Sequence, residues 1–145
     1  QEEIDLAITL EQALTFLKNE MKKNDVELVR KFDEKLLIRG DKDLLYRAFY
    51  NIIVNAIQAM DNGGELIISS RKTEEDIIIT FEDTGSGFDE NILANIGEPF
   101  MTTKDTGTGL GLTIVMNFVE NNNGIVEFRN RKENGAHISM AFKKI

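Results

Sequence analysis

Three glycines at alternate positions, in the run Gly107-Thr-Gly-Leu-Gly-Leu112, lead directly into an apolar stretch that ends at Val119. Each glycine loses more backbone freedom on folding than any other residue, so three of them just before a helix are costly. A chain tolerates this where backbone N–H groups must approach an anion, as they do at a helix N-terminus. The spacing is neither G-x-G-x-x-G nor a P-loop with its Gly-Lys-Ser/Thr. The run therefore predicts either an anion cradle or a flexible loop that leads into a helix.

Composition limits the kinds of protein that this chain can be. Its 145 residues, 41% hydrophobic and 29% charged, fit one soluble domain with a proper core. The absence of cysteine excludes disulfides and cysteine-ligated metals. No apolar run approaches the roughly 18 residues of a membrane span. The net charge of −8 disfavours a nucleic-acid or anionic-membrane surface. A chain that begins with Gln1 is expected to be either a piece of a longer protein or a processed chain.

Hydrophobic periodicity predicts helices and strands in alternation. Thr9-Leu-Glu-Gln12 has the capping-box pattern of a helix start, and Asp41 precedes a long helix with a continuous apolar stripe. That stripe is Leu45, Ala48, Phe49, Ile52, Ile53, Ala56 and Met60. Further helices are expected over 89–95 and 109–122, and strand pairs over 26–32 with 36–39, 65–70 with 77–83, and 125–131 with 136–143. This order predicts an α+β fold, a two-layer α/β sandwich whose mixed, mostly antiparallel sheet carries about three helices on one face.

Two asparagines on the long helix are candidates for binding chemistry. Asn51 and Asn55 are four residues apart and share a helix face near the edge of the apolar stripe. A buried amide needs partners for its oxygen and its NH₂ group. The pair either makes helix-to-loop hydrogen bonds, or one amide oxygen binds a hard cation such as Mg²⁺, which takes its other ligands from water and phosphates.

Asp83 ends a strand and falls on the same face as Ile77, Ile79 and Phe81. A carboxylate on an apolar face is costly unless it is hydrogen-bonded. It could cap the following turn, or accept a hydrogen bond from a ligand amino group such as that of adenine, with Gly85 and Gly87 letting the backbone approach a flat ring.

The segment from Glu98 to Thr106 has few apolar residues and resembles a mobile lid. Lys104 is either a solvated lysine or a cation that reaches terminal phosphates. His137 is the sole histidine, and strand alternation turns it away from Ile138, so a structural or exposed role is expected.

Four segments occur in the order and spacing of the asparagine, first glycine, phenylalanine and second glycine boxes of sensor histidine kinases. They are Asn51-Ile-Ile-Val-Asn55-Ala-Ile-Gln-Ala, Asp83-Thr-Gly-Ser-Gly87, Glu98-Pro-Phe-Met-Thr-Thr-Lys104 and Gly107-Thr-Gly-Leu-Gly-Leu112. The chain thus resembles the catalytic ATP-binding domain of a two-component sensor histidine kinase of the GHKL type. The wording of the motifs is most similar to the nitrogen-regulation branch.

The resemblance implies a GHKL-type sandwich that binds ATP and Mg²⁺ between the long helix and a lid. It implies Asn55 as the Mg²⁺ ligand, Asn51 and Gln58 near the phosphates, and Asp83 with Gly85 and Gly87 around adenine. Asn51 and Lys104 would serve catalysis. The phosphates would meet Gly107, Thr108, Gly109, Leu110, Gly111 and Leu112. Many members carry Lys or His in place of Gln58, and Ala136 replaces a small hydroxyl residue that is common in the last strand.

Rival interpretations within the same resemblance are a gyrase- or chaperone-like ATPase, an anti-sigma-type serine kinase and a nucleotide sensor without chemistry. The ATPases place a general-base Glu four residues before the metal-binding Asn, where this chain has Asn51, so slow hydrolysis is expected.

His137 lacks the context of a phosphoacceptor, so the acceptor is expected on a separate dimerisation domain, with a response regulator downstream. Residues 1–8 would be the trailing connection from that domain and 9–145 the catalytic domain. The fragment is expected to be monomeric and cytoplasmic, without direct membrane contact, whether or not its parent protein is membrane-attached.

Overall fold

The computed structural model describes residues 2–95 and 107–145, with the side chains of 95 and 107–110 left out. Within these residues the helices are α1 (Leu6–Phe16), α2 (Lys18–Lys23), α3 (Lys42–Ala59), α4 (Glu90–Asn95) and α5 (Gly107–Asn121). The strands are β1 (Glu2–Asp5), β2 (Val26–Lys31), β3 (Leu37–Gly40), β4 (Gly64–Lys72), β5 (Asp76–Asp83), β6 (Ile125–Asn130) and β7 (Ala136–Lys143).

Five of the described strands form one sheet in the order β2-β4-β5-β7-β6. Strand β2 is parallel to β4, because the chain crosses over through α3, and the other neighbours in this sheet are antiparallel. Strands β1 and β3 form a separate antiparallel pair. The predicted mixed, mostly antiparallel sheet is therefore confirmed.

Helix α3 is the central helix of the second layer, since it contacts both α1 and α5. Asp41 caps it as predicted, accepting a hydrogen bond from Leu44 N–H at 3.2 Å. Every residue of the predicted apolar stripe is buried. The alternation in β5 puts Ile77, Ile79, Phe81 and Asp83 on the buried face, so the helix layer and the sheet share one core.

Two predicted helix starts and one predicted strand pairing were wrong. The first helix begins at Leu6 with Asp5 as its N-cap, and Thr9 lies inside it, because Asp5 Oδ1 accepts from Ala7 N–H while residues 2–5 already pair with β3. The segments 26–31 and 37–40 do not pair with each other, since each finds its partner elsewhere. Helix α5 begins at Gly107 and not at Gly109, in line with the low cost of extending a nucleated helix by two residues.

The prediction that residues 1–8 are a connection and 9–145 the domain stays a prediction, although its boundary falls within α1. None of the helices in the described ranges is long and apolar enough to cross a membrane.

Candidate nucleotide site

The carboxylate of Asp83 is held at the end of β5 with only 6% of the residue exposed. Its Oδ1 accepts hydrogen bonds from Gly85 N–H at 2.9 Å and Ala136 N–H at 3.2 Å. Within the described residues, Oδ2 receives no protein donor. Burial raises the pKa of Asp83 above its ordinary value, and the two N–H groups and the charge of Arg131 oppose this rise. One carboxylate oxygen is thus fixed by the backbone and the other is left for a ligand.

A cavity of about 220 Å³ lies between α3 and the end of the sheet, and Asp83 is part of its lining. Its apolar walls are Ile52, Ala56, Ala59, Leu66, Phe81, Phe88 and Ile138. Because ligand cavities for drug-sized molecules run from about 300 Å³ upward, this volume suits a flat ring whose attached groups extend outside.

Two glycines shape the loop after Asp83. A Cβ at Gly85 would come within 2.5 Å of the carbonyl oxygen of Ala59, so only glycine lets the loop approach α3 this closely. Gly87 has a φ of +81°, which favours glycine. The loop is then tied to β6 by Asn130, whose Oδ1 accepts from Phe88 N–H at 2.7 Å and whose amide donates back to Phe88 O at 3.1 Å.

Asn55 lines the cavity on the α3 side. Its Nδ2 is buried and has no hydrogen-bond partner in the described part of the chain. A Cβ added to Gly111 would stand 3.3 Å from that nitrogen, so α5 brings the glycine run against Asn55. A buried amide without a partner costs free energy in the empty protein, and the site is where a ligand would satisfy it.

Asn51 and Gln58, the other predicted site residues on α3, differ from Asn55 in their exposure and hydrogen bonding. Asn51 is partly exposed, and its NH₂ group donates to Arg47 O at 2.9 Å, within the same helix. Gln58 is exposed and lines the cavity.

The glycine run is described only in part. The backbone of Gly107, Thr108, Gly109 and Leu110 forms the first turn of α5, and Gly111 and Leu112 are buried. The prediction for Lys104 and for the lid lies outside the described residues.

The sequence did not indicate the role of the turn between β6 and β7. Arg131 Nη1 donates to the backbone oxygen of Asp83 at 3.0 Å, and the N–H of Ala136 donates to the carboxylate of Asp83. Gly135, with a φ of +109°, packs directly on Asp83 O, where any side chain would overlap it. The Asn-Gly dipeptide at 134–135 signalled a turn, but not that the turn reaches Asp83.

His137 lies on the opposite face of the sheet from the cavity, since its neighbours Ala136 and Ile138 line that cavity. Its side chain is 12% exposed, and Nδ1 is 2.9 Å from Glu82 Oε2. In the described ranges, no group of three or more His, Cys, Asp and Glu side chains could hold a metal ion.

The site combines three features: a buried carboxylate with a free oxygen, an apolar slot for a ring, and a helix N-terminus beside an amide. Together they are typical of a nucleotide-binding α+β domain. A family profile described as Histidine kinase-, DNA gyrase B-, and HSP90-like ATPase matches residues 40–144. The chain belongs to this family.

Two similar proteins are sporulation kinases of Bacillus subtilis. The chain is 38% identical to sporulation kinase A of Bacillus subtilis (strain 168) over 111 residues, 77% of this chain and 18% of that protein. It is 34% identical to sporulation kinase C of the same strain over 129 residues, 88% of this chain and 30% of that protein. The chain therefore spans less than a third of the length of either relative.

Among solved structures, the nucleotide-free catalytic domain of histidine kinase ThkA superimposes with a TM-score of 0.86 at 25% identity, covering 99% of this chain and 95% of that one. The predicted identity as a catalytic ATP-binding domain of a histidine kinase is confirmed, whereas the nitrogen-regulation branch stays a prediction.

Proposed function

We propose that this domain binds ATP with adenine in the cavity beside Asp83 and donates the γ-phosphoryl group to a histidine on a separate domain. The observation that carries the proposal is that Oδ1 of Asp83 accepts two backbone hydrogen bonds while Oδ2 accepts none within the described residues. An ionised carboxylate only accepts hydrogen bonds, so its free Oδ2 selects a ring with an exocyclic amino group. The apolar walls, Phe81 and Ile138 among them, cover the faces of the ring.

The phosphates would extend from the cavity toward Asn55 and the first turn of α5. Free N–H groups at a helix N-terminus favour anions, and Gly111 leaves room beside Asn55. The amide oxygen of Asn55 suits Mg²⁺, which binds few protein oxygens and keeps water and phosphate ligands. When bound, the ion would neutralise charge on the phosphates during transfer.

Phosphoryl transfer is favoured over hydrolysis by the side chain at position 51. The amide of Asn51 cannot take a proton from water at neutral pH, and its NH₂ group already donates to Arg47 O. Without a general base at position 51, the γ-phosphoryl group would stay available for a stronger nucleophile, and the domain would contribute positioning and charge neutralisation. Lys104 is proposed to assist from the lid.

The nucleophile would come from outside this chain. His137 faces away from the cavity and is enclosed by Glu82 and Arg129. We therefore place the acceptor histidine on the dimerisation domain of the parent kinase. A response regulator is the expected recipient of the phosphoryl group, and a solved ThkA structure is a complex with the response regulator protein TrrA.

The test mixes this chain with a matching acceptor domain and ATP labelled at the γ-phosphate. Acid-labile label on the acceptor is expected, because phosphohistidine is acid-labile, and none on this chain alone. Acid-stable label would favour a serine kinase, release of phosphate alone would favour an ATPase, and label on His137 would contradict the separate acceptor.

A further inference from the structure

The backbone carbonyl of Asp83 lies where the β5–β7 ladder runs out. Glu82 and His137 are the last paired residues of that ladder. The next N–H group on β7, that of Ala136, donates to the side chain of Asp83. The carbonyl oxygen of Asp83 accepts a hydrogen bond from Arg131 Nη1 at 3.0 Å, so a guanidinium group replaces the backbone donor of a paired strand.

Arg131 also organises the turn that it begins. Its backbone N–H donates to Gly135 O at 2.8 Å, and its Nη1 also donates to Asn134 O at 3.2 Å. The side chain is only 16% exposed. Because the guanidinium is planar with several fixed donors, one side chain can join the end of β5 to this turn in a defined geometry.

We propose that Arg131 is a positioning residue for recognition of adenine. It fixes the turn that carries Ala136, so the N–H of Ala136 holds Oδ1 of Asp83 and directs Oδ2 into the cavity. Its positive charge also favours the ionised carboxylate, which is the form that accepts from an amino group. The inference rests on the proposed ATP-binding function and assigns a part in it to a residue outside the four motifs.

Other charged groups surround this guanidinium and moderate its effect. Glu82 Oε2 lies 3.8 Å from Arg131 Nε, and Glu133 Oε2 lies 3.2 Å from Nη2. His137 binds Glu82 on the same sheet face, and Arg129 contacts the His137 ring at 3.4 Å. Since Arg129 does not contact Asp83, it offers a matched control of the same residue type two positions away.

The experiment measures the ATP affinity of the whole chain by calorimetry across a pH series, for the wild type, Arg131→Met, Arg131→Lys and Arg129→Met. Methionine keeps most of the packed stem and removes the donors and the charge. We expect Arg131→Met to lower affinity roughly tenfold, the scale of a lost hydrogen bond to a charged group. Its affinity should also begin to fall at a higher pH on the acidic side, because the pKa of Asp83 rises.

Arg131→Lys keeps the charge, so its ATP affinity should begin to fall at the same acidic pH as in the wild type, a feature called here the acidic limb. Its affinity at neutral pH should be reduced. Arg129→Met should match the wild type in both. Wild-type affinity and an unmoved acidic limb in Arg131→Met, or the same shift in Arg129→Met, would overturn the inference. If Arg131→Met does not fold, a folded Arg131→Lys with wild-type affinity overturns it and reduced affinity supports it. A wild-type chain that binds no ATP would instead refute the proposed function.

Discussion

Gly111 on α5 and Asn55 on α3 meet so closely that a single added carbon would crowd them. A Cβ at position 111 would stand 3.3 Å from Nδ2 of Asn55, an atom that is buried and without a partner in the described structure. Alanine is favoured over glycine within a helix by about 0.5–1 kcal/mol. Glycine at this position therefore allows the close approach to Asn55, although alanine would favour the helix.

Gly111→Ala should weaken binding of ATP with Mg²⁺ by roughly three- to tenfold, or about 0.7–1.4 kcal/mol, because the new methyl group displaces the Asn55 amide. The free energy of unfolding of the empty protein should not fall by a similar amount, since helix propensity offsets the crowding. Calorimetry and denaturant unfolding measure the two effects. Asn117→Ala, at an exposed site on the same helix, should leave ATP affinity unchanged. Wild-type affinity in Gly111→Ala would contradict a role for this contact.

Asn55→Ala should lower the affinity for ATP with Mg²⁺ by about tenfold or more, the effect of losing an interaction with a charged group. Metal-free ATP should lose less. The empty protein should not be destabilised through lost hydrogen bonds, because Nδ2 makes none in the described structure. Titrations with and without Mg²⁺ provide the internal control. Equal losses in both would mean that Asn55 acts on the shape of the site and not on the metal.

Asp83→Asn separates the two oxygens of the carboxylate more cleanly than alanine would. Asparagine can keep Oδ1 as acceptor for Gly85 and Ala136, while an NH₂ group replaces Oδ2 and opposes the amino group of adenine. ATP affinity should fall roughly ten- to a hundredfold, as expected for a charge-assisted bond of about 1.5–3 kcal/mol. Asp83→Ala would also leave the N–H groups of Gly85 and Ala136 unpaired. Its melting temperature should therefore drop clearly, whereas that of Asp83→Asn should not. Unchanged affinity in Asp83→Asn would remove Asp83 from the site.

The raised pKa of Asp83 makes the stability of the empty protein depend on pH in a particular direction. Between the ordinary value of 3.8 and the raised value, the folded state binds more protons than the unfolded state, so stability falls as pH rises. Asp83→Asn resembles the protonated form. It should be more stable than the wild type at neutral pH, and the difference should disappear as pH falls below about 3.8. A constant difference across this range, in unfolding curves taken at several pH values, would contradict the assignment.

Local patterns predicted the parts of the site that lie on regular elements. The apolar stripe of α3 and the buried side of β5 follow from periods of 3.6 and 2, so Asn55 and Asp83 could be placed in advance. The cap at Asp41 follows from its residue type just before the stripe. The residues that contact each other from distant parts of the chain could not be predicted from local patterns. Asn122 is buried at the end of α5 and accepts from Asp41 N–H, 81 positions away, at 2.6 Å.

The pairing of β1, β2 and β3 was beyond the sequence for the same reason, whereas the predicted pairs β4–β5 and β6–β7 are confirmed. The short strand β1 carries no alternation that distinguishes it from a polar leader, and β2 and β3 looked like a hairpin because they are adjacent in the chain. Strand β2 instead joins β4 at the edge of the five-stranded sheet, and β3 pairs with β1. Arg131 likewise has an unremarkable sequence context, and only the return of β7 beside β5 brings it to Asp83.

Asn51→Glu tests directly why this domain is proposed to transfer the phosphoryl group and not to hydrolyse ATP. The new carboxylate would lie one helical turn before Asn55, on the same face, where it could accept a proton from an attacking water. A general base contributes typically 10²–10⁴-fold, and an introduced one should raise phosphate release at least about tenfold.

Asn51→Gln is the matched control, because it adds the same length without a proton acceptor. It should hydrolyse ATP no faster than the wild type. In Asn51→Glu, faster hydrolysis should be accompanied by less label on the acceptor domain, since water then competes for the same phosphoryl group. If phosphate release stays at the wild-type rate while ATP still binds, the side chain at 51 does not face the γ-phosphate. The preference for transfer would then need another cause.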